Sequence, residues 1–88
     1  MTIDLTGNLR RYVDFDFEIR LEASSVREGL RRLSERYPAI KEVLFDGDGN
    51  VRSILRVMLN GSLLGRDELE RATGPNDEIV LLTPITGG

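Results

Sequence analysis

Ile79-Val80-Leu81-Leu82-Thr83-Pro84-Ile85-Thr86-Gly87-Gly88 sets the plan of the chain. The first four residues are continuously apolar. They read as a strand buried on both faces, or buried on one face and used for contact on the other. Pro84 has no N–H and ends the ladder. Gly87 and Gly88 carry no side chains and accept nearly any φ, so this end can thread a narrow channel. Fully extended, Ile85 to Gly88 reaches about 13 Å from the body. Most termini simply fray, so the residues upstream decide whether 84–88 is a flexible tail with a purpose.

Just before the strand, Gly74-Pro75-Asn76-Asp77 is a turn by composition. Further back, Asn60-Gly61 is the strongest hairpin signal in the chain. It joins a third strand, expected over Val51 to Leu59, to a brief return at Ser62-Leu63-Leu64. Asp67-Glu68-Leu69 is suited to a helical turn. At the other end, Thr2-Ile3-Asp4-Leu5-Thr6 alternates with period two, as a strand with one buried face does. A connection through Leu9 and Val13 follows. Phe15-Asp16-Phe17-Glu18-Ile19-Arg20-Leu21 alternates again, which predicts a second strand with Phe15, Phe17, Ile19 and Leu21 on one side. Ser25-Val26-Arg27-Glu28 is a capping box. Val26, Leu30, Leu33 and Tyr37 then recur at helical spacing, and Pro38 stops the helix. Gly29 costs that helix about 0.5–1 kcal/mol against Ala, and a close approach to the sheet is one reason to keep it. Ala39 to Phe45 reads as a further helical turn with Ile40, Val43 and Leu44 inward.

Eighty-eight residues make one domain, 1–88, with a single modest core. No apolar run approaches the ~20 residues that span a bilayer, and no signal-peptide pattern opens the chain. With no cysteine there are no disulfides and no thiolate sites, and with no histidine the usual general base is missing. Net charge is −3, and the cations, eleven arginines and one lysine, are scattered among the acids. That balance disfavours nucleic acid and fits a cytoplasmic protein meeting partners with basic patches. Asp46-Gly47-Asp48-Gly49-Asn50 imitates a calcium loop, but the sixth and twelfth places hold Val51 and Val57 where an EF-hand needs Gly and Glu. It reads as a polar turn, and no metal site is expected.

Strand, strand, helix, strand, short strand, final strand is an α+β order: one mixed sheet of four to five strands and one main helix. One helix covers one sheet face. If Ile79 and Leu81 point inward, Val80 and Leu82 point outward, with Met58 beside them, as an apolar docking surface. The alternative is that Ala39–Phe45 or Leu63–Leu69 covers that face.

The order of elements, Tyr37-Pro38 after the helix, the Val57-Met58-Leu59-Asn60-Gly61 hairpin and the run from Asp77-Glu78-Ile79 to Gly87-Gly88 resemble the ubiquitin-like sulfur carrier proteins. These include the small subunit of molybdopterin synthase and the thiamin-pathway carrier. The resemblance implies a β-grasp fold with the first and last strands adjacent and parallel at the centre. It also implies that an ATP-dependent activating enzyme of the ubiquitin-activating type adenylates the Gly88 carboxylate. A sulfur donor protein then converts it to a thiocarboxylate for an acceptor biosynthetic enzyme. Gly87 would be the thin neck beside the reacting group, and Thr86, Ile85 and Pro84 of the tail would meet the partner, as would the docking residues Leu82, Val80 and Met58. On this reading the protein is a carrier rather than an enzyme, a monomer when free, and binds no cofactor, membrane or nucleic acid. ATP is used by its partner. The resemblance leaves the pathway open among molybdopterin, thiamin, cysteine and secondary metabolites. A protein modifier forming isopeptide bonds through Gly88 is the rival reading, and an interaction module with an incidental tail is a second.

Overall fold

A computed structural model describes residues 1–16 and 18–83. Five strands form one mixed sheet in the order β2-β1-β5-β3-β4. They are β1 (Thr2–Leu5), β2 (Ile19–Arg20), β3 (Arg56–Leu59), β4 (Ser62–Leu63) and β5 (Glu78–Leu82). The main helix is α1 (Val26–Arg36), and a single turn, α2 (Lys41–Leu44), follows a 3₁₀ segment at Pro38–Ile40. β1 and β5 are parallel neighbours at the centre, while all other pairings are antiparallel. This is the mixed β-grasp sheet that the family resemblance implies.

Register explains the core. Ile79 sits between Ile3 and Leu59, and Leu81 between Leu5 and Val57. All six side chains are buried, and they form two cross-strand rows on one face. Val26, Leu30 and Leu33 of α1, together with Ile40 and Leu44, close over them and are fully buried. Leu64 and Leu69 join the same core.

The first turn of α1 has every free donor accounted for. Val26 N–H and Arg27 N–H donate to the carbonyls of Arg71 (3.3 Å) and Leu69 (2.8 Å), which ties the helix to the segment before β5. Glu28 N–H donates to Ser25 Oγ at 3.1 Å. The Glu28 carboxylate reaches back one residue further than a capping box requires. It accepts from Ser24 N–H at 2.9 Å and from the Ser24 hydroxyl. Gly29 lets the end of the Met1 side chain pack against the helix: a Cβ there would lie 2.9 Å from Met1 Cε and closer still to the sulfur, so the methionine would have to shift. The neighbour is thus the chain's own first residue, whose amino group is held by Leu21 C=O at 2.9 Å.

Two strand expectations are corrected. The alternating run from Phe15 to Leu21 is strand only at Ile19–Arg20. The segment Gly7–Val13 is a 3₁₀ helix that buries Leu9 and Val13. The chain leaves it through left-handed backbone at Asp14 (φ 55°) and Phe15 (φ 62°). That turn throws Phe15 into solvent at 67% exposure, so it is not on the inner face. Phe17 lies outside the described residues. Likewise, Val51 to Leu55 does not extend β3. Val51 bridges Phe45, and Arg52 N–H donates to Leu44 C=O at 2.8 Å. The chain is pinned to α2 there and turns before Arg56 can join the sheet, leaving Ile54 exposed.

The Asn60-Gly61 hairpin has both residues left-handed, φ 51° and 87°, the two-residue turn that suits twisted strands. Asn60 does more than turn the chain. Its side-chain N–H donates to Asp77 Oδ1 and its Oδ1 accepts from Glu78 N–H, both at 2.9 Å. The hairpin is thereby latched to the start of β5. The latch also holds Asp77 below the usual carboxylate range, through the Asn60 hydrogen bond first and Gly74 N–H second.

Glu28 provides a pH signature. The Ser24 hydroxyl, then Ser24 N–H and Arg32, lower its pKa from 4.5 to about 2. A carboxyl depressed on folding stabilises the fold above its unfolded pKa, and that contribution is lost as pH falls toward the folded one. Urea midpoints should therefore decline between pH 4.5 and about 2, and more shallowly in Glu28→Gln. Identical pH profiles for the two proteins would refute the assignment.

Candidate functional site

The face of the sheet opposite α1 carries the alternate residues of each strand. Thr2 and Asp4 come from β1, Glu78, Val80 and Leu82 from β5, Arg56 and Met58 from β3, and Leu63 from β4. Asp4, Val80, Met58 and Leu63 form one continuous row, since each is the register partner of the next. Leu82 lies opposite Arg56 in the next row. Val80, Leu82 and Met58 are half-buried and Leu63 is 61% exposed. Of the segments expected as alternative covers, Ile40 and Leu44 bury into the core, as do Leu64 and Leu69, while Leu63 only extends the row at its edge.

Leu63 and Arg56 were within reach of the sequence. Alternation from Met58 puts Arg56 on its face, and a two-residue hairpin at Asn60-Gly61 sets Leu63 across from Met58. Asp4 adds something the pattern does not reveal. Its Oδ1 is buried beside Val80 and has no hydrogen-bond donor among the described residues. An unsatisfied buried acceptor costs about 1–3 kcal/mol.

The exit of the chain from the sheet is well fixed. The Leu81 carbonyl accepts from both the Thr6 N–H and the Thr6 hydroxyl, each at 3.2 Å. Arg10 Nε donates to the Leu5 carbonyl at 2.8 Å, on the strand alongside. Thr83 thus starts from an anchored position beside the apolar row. Pro84, Ile85, Thr86, Gly87 and Gly88 lie outside the described residues.

At the loop that imitates a calcium site, Asp46 Oδ1 accepts from the N–H groups of Asp48 (2.9 Å) and Asn50 (3.1 Å). The carboxylate holds its own turn together. Among the described residues no group of three or more His, Cys, Asp or Glu is placed to hold a metal ion. No helix among them is long and apolar enough to cross a membrane.

Residues 3–88 match the profile of the ThiS family. The chain belongs to that family. It is accordingly one of the ubiquitin-like sulfur carriers and modifiers, whose members are small carrier proteins. A comparison with curated proteins returned no match. Among solved structures, the chain is similar to small archaeal modifier protein 1 of Haloferax volcanii. The two are 26% identical with a TM-score of 0.88, over 100% of this chain and 98% of the other. The protein of the same name from Methanosarcina acetivorans is 29% identical, with a TM-score of 0.85 over 99% and 94%. A chain of the BexX/CysO complex of Amycolatopsis orientalis, 20% identical, shares the fold at a TM-score of 0.83 over 99% and 98%.

Adjacent residues of β5 provide a direct check on the two faces. Leu81 is fully buried between Leu5 and Val57. A carboxylate there costs several kcal/mol against a total reserve of about 5–15 kcal/mol. Leu81→Glu should therefore lose its cooperative unfolding transition. Leu82→Glu, on the open face, should keep the fold with a loss of about 1 kcal/mol or less. Circular dichroism through a urea titration separates the two, and an unfolded Leu82→Glu would show that the faces are misassigned.

Proposed function

We propose that this protein is a sulfur carrier whose Gly88 carboxylate is adenylated by an ATP-dependent activating enzyme and converted to a thiocarboxylate for a biosynthetic acceptor. The observation that carries the reading is the family match, which runs through the sheet and on to Gly88. The chemistry gives each part of the chain a task. A carboxylate resists nucleophiles, because its carbon is shielded by delocalised negative charge and its leaving group would be oxide. Attack of a Gly88 oxygen on the α-phosphorus of ATP expels pyrophosphate and leaves an acyl-adenylate. Sulfur delivered by a donor protein at the sulfide level then attacks the acyl carbon and displaces AMP, leaving the thiocarboxylate.

The chain's own contribution is geometric. Gly87 and Gly88 let the backbone enter a channel too narrow for side chains, with Pro84, Ile85 and Thr86 as its neck. The activating enzyme is held by the apolar surface of Met58 and Val80, with Leu82 in the next row, on the open face. Burying a Val or Leu side chain there contributes about 1.5–3 kcal/mol. A donor from the partner toward Asp4 Oδ1 would complete the orphaned acceptor. On this reading the chain is a co-substrate acting in the cytoplasm, monomeric until it meets its partners. It needs no cofactor of its own and no contact with membrane or nucleic acid.

Isopeptide formation through Gly88 is the second reading. It is favoured by the likeness to two structures named small archaeal modifier protein 1. The same adenylate serves both outcomes, and they part at the nucleophile, sulfur or a lysine amine.

Incubation with the cognate activating enzyme, ATP and a sulfur donor should raise the intact mass by the difference between sulfur and oxygen. A persistent carboxylate, with the enzyme demonstrably consuming ATP, rejects the carrier reading. Lysine-linked conjugates in place of the thiocarboxylate establish the modifier reading instead.

Removing Gly88 moves the reacting carbon by a whole residue, and a misplacement of ~1 Å already costs on the order of a hundredfold in rate. Adenylation of the shortened chain should fall at least that far. Its urea midpoint should stay with that of the intact chain, since residues 1–83 contain the two core rows. A large drop in stability would instead make the tail part of the core.

A further inference from the structure

At the edge of the sheet, where β3 begins and β4 ends, lies a cleft of about 200 Å³. Its floor and walls are apolar, from Val51, Leu55, Val57, Leu63, Leu64 and Leu69. Its rim carries Arg52, Arg56 and Arg66, and no acidic residue lines it among the described residues. The chain as a whole has a net charge of −3, so the cleft is locally opposite in sign. Three of the four arginines of α1 face carboxylates: Arg27 pairs with Glu70 at 2.6 Å, and Arg32 and Arg31 with Glu28 at 3.2 and 3.8 Å. By contrast, the three rim arginines have no carboxylate within 4.0 Å among the described residues. Each is steadied by a backbone carbonyl. Arg52 Nε donates to Glu42 C=O at 2.5 Å, Arg66 to Val51 C=O at 3.4 Å and Arg56 to Ser53 C=O at 3.5 Å.

A carbonyl holds a guanidinium in place without cancelling its charge, and each guanidinium has five donors, most of which remain for a ligand. Asp67 and Glu68 follow Arg66 directly and stand beside Gly65, yet neither carboxylate pairs with a rim guanidinium within 4.0 Å. Glu68 accepts from Gly65 N–H at 3.0 Å and faces Arg71.

We propose that this cleft receives an acidic segment of a protein partner, with a carboxylate side chain on the arginines and an apolar side chain against Leu55, Leu63 and Leu69. Three guanidinium groups suit carboxylates through paired hydrogen bonds. The apolar walls give a peptide side chain a place that a free phosphate or a nucleic-acid backbone would leave empty. Arg56 is also the register partner of Leu82, the last residue of β5. A segment held in the cleft therefore lies beside the root of the tail, at the edge of the face described above. The cleft is distinct from the reacting terminus, and the inference stands whether Gly88 carries sulfur or joins a lysine.

The test uses a short blocked peptide alternating glutamate with leucine, and its counterpart with glutamine for glutamate. Each is titrated into isotope-labelled protein and followed by backbone amide shifts. The glutamate peptide should shift Ser53, Arg56, Leu64 and Gly65. It should bind about tenfold more tightly than the glutamine peptide, equivalent to one charge-assisted contact. The preference should shrink as salt is raised from about 0.05 to 0.5 M, where screening shortens to a few ångströms. Arg56→Gln with Arg66→Gln, both exposed, should abolish the preference. Arg11→Gln with Arg36→Gln, the same change of net charge elsewhere, should preserve it. A chain lacking Gly87 and Gly88 should bind as the intact chain does.

Equal binding of the two peptides, or shifts centred elsewhere, overturns the proposal. So does inorganic phosphate that displaces the peptide at equal concentration, which would mark a small-anion site. Tighter binding by the shortened chain also overturns it, because the natural occupant would then be the chain's own terminus.

Discussion

A parallel pair of strands cannot be joined by a tight turn, and this chain places its first and last strands side by side in parallel. Everything between Leu5 and Glu78 is therefore crossover. The rest of the architecture follows from satisfying that long connection. The helix α1 covers one face, its first amides are taken by the carbonyls of Leu69 and Arg71, and the Asn60 side chain latches the hairpin to the head of β5. Leu81 is where these demands converge, with Leu5 and Val57 on either side of its side chain and Thr6 holding its carbonyl twice. One helix over one face leaves the other open. The apolar row on that open face is a consequence of topology before it is a feature of recognition.

How much of this was legible in the sequence depended on whether a local signal agreed with the long-range pairing. Asn60-Gly61, Ser25 before the helix and the inward set Val26, Leu30, Leu33 are local statements, and the structure follows them. The alternation from Phe15 to Leu21 is as clean a local signal, yet only Ile19 and Arg20 pair. A strand needs a neighbour as well as a pattern, and the 3₁₀ segment fills the core with Leu9 and Val13 before the chain returns to the sheet. Val51 to Leu55 failed as strand for a related reason, a bridge to Phe45 that no short window contains. The faces of β5 were legible because Ile79 to Leu82 is too apolar for one helix to cover. Asp4 was not, because an orphaned oxygen is a fact of three-dimensional surroundings.

Charge follows a similar division. Scattered along the sequence, eleven arginines look like an evenly solvated surface. In the fold, some are neutralised on α1 while Arg52, Arg56 and Arg66 come together, brought from a loop, a strand and a 3₁₀ turn. The grouping has no sequence motif, since its members are separated by both hairpin and loop. Net charge alone would assign the whole surface one sign, and here it hides a local reversal.

The central position of β5 also has a consequence during synthesis. An edge strand made last can be added to a sheet already formed, but a central one cannot. Until residues 78–82 leave the ribosome, β1 and β2 have no lateral bond to β3 and β4, and both core rows lack their middle member. Long-range pairing of this kind is slow, and it exposes apolar surface while it waits. A chain cut short during translation would therefore lack its central strand and remain open to proteolysis. Folding becomes a form of proofreading: a nascent chain acquires a closed sheet only once residues 78–82 have been made.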